Sequence, residues 1–414
     1  MPAADAEVLI VGAGPVGLLL ANFLGRAGVS TIVLEKRTQR GPGSRAIGIT
    51  PTSLEVLGQL ELADRFLQRG VQVRSAAVHA DAGLLARLEL GEPQAAFPFI
   101  LSLPQLDTEG LLLEGLNRYP AVRLQEGLEA VAVRQESSSV AVRARGRTGE
   151  EIQLRAALLC ACDGAGGPTA RCLGLRRRLR RFSVAFRMGD YEDESGLGPV
   201  AHLYFTRQGS VESFPMSGGL RRWIVQATEG GEPEPSFEEV EARVRERTRQ
   251  RLSPSCRVWA SSFRPERSEL ERFRFGRVVF CGDAAHTMPP IGGQGMNTGF
   301  ADARLLARVL ERCLRGGGDL EKLLGLYEPY RRAGFRAAAR RSRLFMGVGT
   351  LRSPAPRALR NLLVPVLTRP PLLQAMVGHF TMMNVPYSTL AGVLARESRL
   401  RLAGEGQADE APRG

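Results

Sequence analysis

The residue types most suited to binding and chemistry are concentrated in a loop over residues 282–297, which begins with Gly282 and Asp283. The loop follows a short apolar strand that ends at Cys281, and a helical pattern begins near Gly299. It is rich in glycine and holds two adjacent prolines, and both residue types interrupt regular structure. Such a segment can bring backbone N–H groups close to a flat, polar ligand, so the sequence predicts a binding loop here.

A second glycine motif lies near the start of the chain, at Gly12–Gly17. The pattern predicts a strand over residues 8–11 before it, a helix over 18–27 after it, and a second strand over 30–34. The second strand is followed by an acidic residue, Glu35. Strand, G-x-G-x-x-G, helix, strand and acidic residue together form a dinucleotide-binding unit.

Each residue of this unit has a physical role toward a dinucleotide. Gly12 permits a tight turn, Gly14 lets the backbone approach a pyrophosphate, and Gly17 lets the helix pack closely on the strand. The helix N-terminus faces the anion, and Glu35 can accept a hydrogen bond from a ribose hydroxyl. Because a carboxylate at Glu35 would repel a 2′-phosphate, the sequence predicts an FAD- or NAD-like nucleotide rather than an NADP-like one.

The two loops together are similar to those of a known family. From about Glu7 to Arg343 the chain resembles the class A, single-component flavoprotein monooxygenases of the p-hydroxybenzoate hydroxylase type, especially the aromatic polyketide hydroxylases. The patterns that carry the resemblance are Gly12–Gly17 with Glu35, Arg45–Ile49, Cys162–Gly164 and Gly282–Asn297. The resemblance implies an α/β fold: a Rossmann-like FAD-binding domain of the glutathione-reductase type, an inserted antiparallel β-sheet substrate domain and a C-terminal helical segment.

The predicted domain boundaries follow from this resemblance and from strand patterns. Alternating apolar and polar residues predict strands over 122–133, 140–145 and 152–162, and short strands between 182 and 228 predict an antiparallel sheet. The predicted units are a discontinuous FAD-binding domain (1–70, 100–180 and 270–340), a substrate domain (71–99 and 181–269), a C-terminal helical segment (341–403) and a disordered tail (404–414).

The resemblance also implies which residues bind the cofactor, FAD. Asp283 would accept a hydrogen bond from a ribityl hydroxyl. The N–H groups of Gly295, Met296 and Asn297 would face the flavin N1–C2=O edge, where a helix N-terminus stabilises negative charge on reduced flavin. The predicted cofactor-binding residues are Gly12, Gly14, Pro15, Gly17, Glu35, Lys36, Arg37, Arg45, Gln105, Asp163, Asp283, Pro290, Gly293, Gly295, Met296 and Asn297.

The predicted catalytic residues are Pro290, Gly292 and Arg45. The resemblance places Pro290 beside the flavin C4a carbon, where oxygen adds to form a hydroperoxide that a rigid, donor-poor wall protects from water. Arg45 matches an arginine that helps the flavin ring swing between positions, and Gln105 matches a glutamine that contacts the flavin nucleotide. For Arg45 the alternative is a surface arginine that precedes a helix. For Gln105 it is a polar residue at a helix N-terminus. For His286, a structural hydrogen bond is favoured over an acid–base role.

These features predict an FAD-dependent monooxygenase that uses NAD(P)H and O2 to hydroxylate an electron-rich aromatic, quinone- or quinolone-like small molecule in secondary metabolism. Only one dinucleotide unit is visible in the sequence, so NAD(P)H would bind transiently as a co-substrate. Epoxidation of a hydrophobic, prenylated or polyketide substrate uses the same flavin C4a-hydroperoxide and stays open as an alternative. A non-catalytic binding protein on the same fold is disfavoured by the intact Asp283 and Gly292–Asn297.

The segment after Asp163 departs from the family pattern. Gly167 and Ala170 stand where serine and arginine are usual, and Arg171 follows directly. The residues that contact NAD(P)H in the family are therefore not matched in this segment, and the resemblance does not predict NAD(P)H contacts here.

Composition argues against several other classes. The six cysteines show no C-x-x-C spacing and indicate a reducing cytoplasm. The four histidines form no ligand cluster, so no metal is predicted. No signal peptide is expected. The net charge of +13 comes without a nucleic-acid-binding module, so no nucleic-acid partner is predicted. The densest basic run, Arg176–Arg181, is interpreted as solvated surface, with contact to the phosphates of NAD(P)H or of acidic lipids as the alternative.

The C-terminal part is unusual in its charge. Residues 345–395 contain no acidic residue, and 370–395 carry no formal charge. Helices packed on the body of the protein are the favoured interpretation, and a peripheral membrane contact through 345–395, on the inner membrane face, is the alternative. Polar residues such as Gln374 and Asn384 disfavour a membrane-spanning helix. The sequence leaves the oligomeric state open.

Overall fold

A computed structural model describes residues 4–41, 46–81, 83–90, 95–227 and 234–369. The strands are β1 (Ala6–Val11), β2 (Thr31–Glu35), β3 (Gly48–Ile49), β4 (Val71–Val73), β5 (Ser75–Ala80), β6 (Gly83–Glu89), β7 (Ile100–Ser102), β8 (Val122–Glu126), β9 (Leu128–Gln135), β10 (Val140–Gly146), β11 (Glu151–Ala161), β12 (Arg177–Arg181), β13 (Phe186–Glu192), β14 (Ala201–Thr206), β15 (Gly209–Met216), β16 (Leu220–Gln226), β17 (Arg257–Phe263), β18 (Glu266–Leu270), β19 (Arg274–Phe275), β20 (Val278–Phe280) and β21 (His286–Thr287). The helices are α1 (Pro15–Arg26), α2 (Pro51–Gly58), α3 (Ala63–Arg69), α4 (Gln105–Leu116), α5 (Pro168–Cys172), α6 (Phe237–Thr248), α7 (Gln294–Leu314), α8 (Leu320–Gly349) and α9 (Pro354–Leu367).

The larger sheet has eight strands in the order β19-β20-β11-β1-β2-β8, with the hairpin of β9 and β10 attached to β11. The pairs β1–β2, β1–β11, β2–β8 and β11–β20 are parallel. All residues of β2 and all but one of β1 are buried, as expected for a parallel sheet covered on both faces. Helix α1 packs against α4 and α7, and α7 packs against α8.

The carboxyl ends of three parallel strands meet at one edge of this sheet, called here the carboxyl edge. Val11 at the end of β1 pairs with Ala161 at the end of β11, and Ala161 also pairs with Phe280 at the end of β20. The segments that follow these strands are the three that the sequence singles out, beginning at Gly12, Cys162 and Cys281. They are thus brought together although they are far apart in the chain. This edge is where open α/β sheets bind their ligands.

The smaller sheet has seven strands in the order β17-β13-β16-β15-β14-β5-β6. The strands from residues 186–226 are antiparallel, as the sequence predicts, but β5 joins β14 in parallel. Helix α6 covers one face, where Val240 and Val244 pack with Val211, Trp223 and Val225. The opposite face, called here the inner face, is described below.

The described C-terminal part is helical. Helix α8 runs from Leu320 to Gly349 without a break, so the predicted boundary near residue 340 falls inside it. Helix α9 has a row of exposed apolar side chains at Leu359, Leu362, Leu363 and Val366. No helix within the described ranges is long and apolar enough to cross a membrane. The predictions for the rest of the helical segment and for the tail at 404–414 fall outside the described residues.

Candidate functional site

The loop between β1 and α1 and the first turn of α1 each contain a position that accepts only glycine. Gly12 has φ +103°, and a Cβ there would lie 2.4 Å from the carbonyl oxygen of Cys162. A Cβ at Gly17 would lie 2.0 Å from the carbonyl oxygen of Gly12. Both glycines therefore let α1 and its loop pack tightly on the end of β11. Pro15 opens the helix at its first turn, where its missing N–H costs no hydrogen bond.

Glu35 is almost completely buried at the end of β2 and is held from two sides. Its carboxylate accepts hydrogen bonds from the N–H of Ala13 at 2.8 Å and from Nε of Arg37 at 3.0 Å. Burial opposes ionisation, but the hydrogen bonds from Arg37 and Ala13 hold the pKa of Glu35 below its usual value. The carboxylate is thus charged and fixed beside the first turn of the glycine loop.

A second buried carboxylate, Glu109 of α4, joins the same cluster. Gln105 donates to it at 2.9 Å, Nε of Arg40 lies 3.2 Å from it, and an Arg37 nitrogen lies 3.6 Å away. The structure therefore brings Glu35, Arg37 and Gln105 together, as a common cofactor site requires. Lys36 points away from them and lies 3.7 Å from Glu129.

Asp163 explains why the chain has glycine at position 167. The Asp163 carboxylate accepts a hydrogen bond from the N–H of Thr169 at 2.9 Å and folds over Gly167. A Cβ at Gly167 would lie 2.1 Å from the carboxyl carbon, so a serine would not fit this arrangement. Burial raises the pKa of Asp163 above its usual value.

Arg177 of β12 connects the segments that hold Asp163 and Asp283. Its guanidinium donates to Oγ of Ser268 at 2.9 Å and to the carbonyl oxygen of Ala284. Burial lowers the pKa of Arg177, while the negative charges of Asp283 and Asp163 oppose that shift. The other residues of β12 are exposed, so the solvated-surface interpretation of this basic run is wrong for Arg177 alone. Arg177 is the one partly buried side chain of β12, because it lies against Ser268 and Ala284.

Asp283 lies in a single 3-10 turn that directly follows β20. Its carboxylate is exposed to solvent, yet it is surrounded by protein atoms that raise its pKa above the usual value. The nearby guanidinium of Arg177 opposes that shift. Gly282 before it has φ +61°, the left-handed conformation that glycine adopts without strain. The turn therefore presents one acidic side chain at the carboxyl edge.

A buried ionic cluster supports the turn from behind. Asp302 of α7 accepts from the N–H of Gly282 at 3.0 Å, lies 2.7 Å from Nε2 of His286 and pairs with Arg331 of α8. The His286 ring also stacks on Phe335 at 4.5 Å. Despite burial, Arg331 and His286 hold the pKa of Asp302 below its usual value. His286 thus makes the structural hydrogen bond that the sequence favours.

The end of the 282–297 loop is the N-terminus of α7. Gly292 and Gly293 have φ +82° and +64°, and α7 begins at the next residue. The backbone N–H groups of the first helical turn, including those of Gly295 and Met296, have no carbonyl partner within the helix. They form a local positive end to the helix, as predicted for a flavin edge.

The side chain of Asn297 ties this helix to β3. It accepts from the N–H of Thr50 at 3.0 Å and donates to the carbonyl oxygens of Gly48 at 2.9 Å and Gly293 at 2.6 Å. Residues 46–50 are thereby fixed between α7 and Gln105, whose N–H donates to the Ala46 carbonyl oxygen at 3.0 Å. The predicted site residue Arg45 directly precedes this segment, but it falls outside the described residues.

Pro290 lies on the part of the loop that faces the smaller sheet. Its side chain is exposed, and its carbonyl oxygen accepts from the N–H of Gly293 at 2.9 Å. The carbonyl oxygen of the neighbouring Pro289 accepts a hydrogen bond from Oγ of Ser342 at 2.6 Å. Ile291 packs on a cluster formed by Phe186, Met188 and Phe263. The loop is thus anchored to α8 and to the smaller sheet, with Pro290 presented between them.

The loops fit a flat, polar dinucleotide. A Cβ at Gly14 or Gly295 would meet no heavy atom within 4 Å, so the backbone at both positions can be approached closely. Gln294 is fully buried, and neither polar atom of its amide has a hydrogen-bond partner within the described residues. Buried polar atoms are rarely left unpaired, and a ligand with polar ring edges can supply such partners.

Several residues that shape this site are not evident from sequence motifs. Glu109 and Asp302 contact predicted site residues but belong to no sequence motif, and Arg177 belongs to a basic run that is interpreted as solvated surface. The available signal for the first two is a charged residue within an apolar stretch of a predicted helix, which indicates a buried partner. No group of residues suitable for a metal ion occurs in the described part of the chain.

Comparisons with known proteins agree with this geometry. The family model described as FAD binding domain matches residues 5–342. A rifampicin monooxygenase from Streptomyces venezuelae is 30% identical over 404 residues, which cover 95% of this chain and 82% of that protein. The crystal structure of p-nitrophenol 4-monooxygenase from Pseudomonas putida matches with a TM-score of 0.84 at 26% identity, over 93% of this chain and 100% of that one.

A relative with its ligands bound also matches. The ternary complex of aklavinone-11 hydroxylase with FAD and aklavinone has a TM-score of 0.74 at 25% identity, over 84% of this chain and 70% of that one. Fold, loops and relatives together define a flavoprotein. The chain belongs to the FAD-binding domain family and is an FAD-dependent monooxygenase of that family. The resemblance, the fold class and the FAD cofactor expected from the sequence are confirmed.

Proposed function

We propose that this monooxygenase takes electrons from NAD(P)H and uses O2 to hydroxylate an electron-rich aromatic, quinone- or quinolone-like small molecule in secondary metabolism, including antibiotic biosynthesis. The observation that carries the proposal is the position of the Pro290 loop between the carboxyl edge and the smaller sheet. A substrate held there would lie between the flavin ring and a sheet face. The relatives act on p-nitrophenol and rifampicin, or bind aklavinone, according to their names.

The proposed domain organisation follows the one predicted from the sequence, except that α8 continues unbroken across the predicted boundary at residue 340. It is supported by the strand pairing: strands from residues 6–35, 122–161 and 274–280 share the larger sheet, while strands from 75–89 and 186–263 share the smaller one. The FAD-binding domain would supply the cofactor edge, and the substrate domain would supply the pocket floor.

We assign the binding roles to the residues in the order in which they lie along the site. Glu35, Arg37 and Gln105 would hold the adenosine end, with Lys36 at its margin. Gly12, Gly14, Pro15 and Gly17 would hold the pyrophosphate at the start of α1. Bound FAD would supply the redox and oxygen-transfer chemistry by the route that the sequence resemblance implies.

The remaining residues would act near the flavin ring. Asp163 and Asp283 would accept hydrogen bonds from the ribityl chain. Gly292, Gly293, Gly295, Met296 and Asn297 would form the wall at the start of α7. Pro290 would exclude water from the reacting face, and Arg45 would contribute beside the pyrophosphate.

One experiment tests the overall reaction. FAD-loaded protein is mixed anaerobically with NADH or NADPH, and the loss of oxidised flavin absorbance is followed. In air, turnover is then measured with a panel of phenolic, polyketide and quinolone compounds, with product scored for oxygen-18 incorporated from labelled O2. We expect reduction by at least one nicotinamide and labelled product. Absence of flavin reduction by both nicotinamides would contradict the proposal.

A variant tests the role of Asp283. Asp283→Ala removes the carboxylate presented at the carboxyl edge, so FAD affinity should fall about ten- to a hundredfold, as expected for loss of hydrogen bonds to a charged group. The measurement is FAD binding to the apoprotein by flavin fluorescence. Asp64→Ala, at an exposed position on α3, is the matched control and should bind FAD normally. Unchanged FAD binding by Asp283→Ala would rule out the ribityl assignment.

We also propose a peripheral membrane contact through residues 345–395. The support within the described residues is the exposed apolar row on α9, where Leu362 is 69% exposed. In vesicle sedimentation, Leu362→Ser with Leu363→Ser should reduce binding to anionic vesicles. Leu84→Ser, on an exposed strand position of the smaller sheet, should not. Equal sedimentation of all three proteins would contradict the contact.

A further inference from the structure

Glu212 occupies an unusual place in the middle of β15, in the interior of the smaller sheet. Its direct cross-strand neighbours are Leu203 on β14 and Ile224 on β16. Side chains alternate between the faces of a strand, and Val211 packs under α6 on the other face. Glu212 therefore belongs to the inner face.

The inner face around Glu212 is apolar and adjoins the Pro290 loop. Phe214, the next residue of β15 on this face, packs with Leu203 in one apolar cluster. Ile224 packs on a second cluster, and Ile291 of the loop packs on that same cluster. Because directly opposed side chains on neighbouring strands are about 5 Å apart, Glu212 lies one strand away from the contact between sheet and loop.

Within the described residues, no hydrogen bond or ion pair to the Glu212 carboxyl group is found, and burial is the single cause that acts on its pKa. The residue is half-buried, so its carboxyl group is not sealed inside the sheet. The other charged groups of the inner face satisfy each other, since Arg222 donates two hydrogen bonds of 2.7 Å to Asp190. Burial raises the pKa of Glu212 to about 7.

A half-buried carboxyl group that has no hydrogen-bond partner from the protein loses part of its hydration, and a hydrophobic residue would pack at the same position without that cost. A scaffold that pairs Arg222 with Asp190 has the means to satisfy its buried charges. Glu212 is the exception on this face, and its position beside the Pro290 loop gives it access to a bound molecule. The missing partner is therefore expected to come from the substrate.

We propose that Glu212 is the hydrogen-bond acceptor that anchors the substrate on the inner face, and that it selects molecules with a hydroxyl or amino donor over molecules with a carboxylate. The inference rests on the proposed function, because that function makes the inner face the pocket floor. Above its pKa of about 7, Glu212 is ionised, and a donor on the ring would form a charge-assisted hydrogen bond with it. A carboxylate on the ring would meet a like charge instead, and the paired Arg222 would not be available to offset it.

Three probes of equal ring size separate these interactions: 1-naphthol, 1-methoxynaphthalene and 1-naphthoate. Their binding to FAD-loaded protein is measured at pH 8, where Glu212 is ionised, by the change in flavin absorbance without NAD(P)H. The native protein should bind 1-naphthol at least about tenfold more tightly than 1-methoxynaphthalene, since only the naphthol donates. Binding of 1-naphthoate should be the weakest.

The variants Glu212→Leu and Glu212→Gln test the residue itself. Glu212→Leu should bring the ratio of the affinities for 1-naphthol and 1-methoxynaphthalene close to one, and it should improve 1-naphthoate binding. Glu212→Gln keeps the shape and one acceptor oxygen, so it should retain part of the naphthol preference while losing the discrimination against naphthoate. Glu89→Gln, at an exposed position of β6, is the matched control and should behave as the native protein.

The outcomes distinguish this inference from the proposed function. An unchanged probe ratio in both Glu212 variants, or no naphthol binding by the native protein, overturns the role of Glu212 even if NAD(P)H-dependent hydroxylation is observed. The predicted ratios without any flavin reduction by nicotinamide would contradict the proposed reaction and support the role of Glu212. Flavin content and thermal unfolding identify a variant that fails to fold, and Glu212→Gln then decides alone.

Discussion

The carboxyl edge of the larger sheet and the inner face of the smaller sheet differ in how they satisfy a carboxyl group within the fold. Behind the carboxyl edge, Asp302 contacts the N–H of Gly282, His286 and Arg331, and these partners hold its pKa below the usual value against the effect of burial. On the inner face, Glu212 has no such partner within the described residues, and burial alone raises its pKa to about 7.

The described chain therefore completes the carboxyl edge by itself and leaves a hydrogen-bonding group unused on the inner face. Asp302 fixes the turn before Asp283, and it does so with groups supplied by α7, α8 and the loop. This is the scaffold expected of a site that must hold reacting groups in place. Glu212 has a hydrogen-bonding capacity that the described chain does not use, which is the arrangement expected of a surface that recognises a variable small molecule.

Among these variants, removal of the Asp302 charge should change the stability of the fold most. Asp302→Asn should lower the free energy of unfolding by about 3–5 kcal/mol, because it removes the carboxylate that offsets the buried Arg331. Urea unfolding followed by circular dichroism measures the change. Asp64→Asn, at an exposed position, should leave the stability within about 0.5 kcal/mol of the native value. A small effect of Asp302→Asn would remove one side of the contrast between the two regions.

Glu212→Gln, in contrast, should raise the free energy of unfolding, and the size of this gain should depend on pH. The folded-state pKa of about 7 lies above the ordinary 4.5, so the folded protein keeps a proton that the unfolded chain releases between these values. The stability contribution of Glu212 is therefore fully present below the unfolded pKa and is lost as the pH rises through the folded one. Relative to native protein, Glu212→Gln should gain up to about 3 kcal/mol on going from pH 5 to pH 8.

Urea unfolding of both proteins at the two pH values checks this prediction, with Glu89→Gln as the control. The charged pair that shares the inner face, Arg222 and Asp190, is present in every variant and cancels from the comparison. A stability difference that does not change between pH 5 and pH 8 would mean that Glu212 has its ordinary pKa. The contrast with Asp302 would then have no electrostatic basis.

The sequence predicts the carboxyl edge well and the inner face poorly, for a physical reason. Gly12 and Gly17 are required by local backbone contacts, so their spacing carries the information by itself. The position of Glu212 follows from the alternation of β15, but its significance depends on the partners that other strands do or do not bring near it. Those partners come from residues far apart in the chain, and no local pattern encodes their absence.

Arg177 lies between these two cases, because a local pattern contains it but points to the wrong role. It belongs to a run of arginines whose other members on β12 are exposed. Only the approach of Ser268 and Ala284, which are distant in the chain, distinguishes it from them. The same approach places it close enough to Asp163 and Asp283 for their charges to act on its pKa.

The smallest predicted effect therefore tests whether Arg177 belongs to the completed scaffold. Arg177→Gln keeps hydrogen-bonding ability but removes the positive charge beside the two aspartates. FAD affinity should therefore fall by about tenfold while the fold is retained. Arg178→Gln, at the next and exposed position, is the matched control and should bind FAD as the native protein does. If both variants weaken FAD binding equally, the effect comes from the net charge of the basic run, and Arg177 holds no special position at the carboxyl edge. If only Arg177→Gln changes it, one inward residue of that run organises both aspartates, and the carboxyl edge extends to β12.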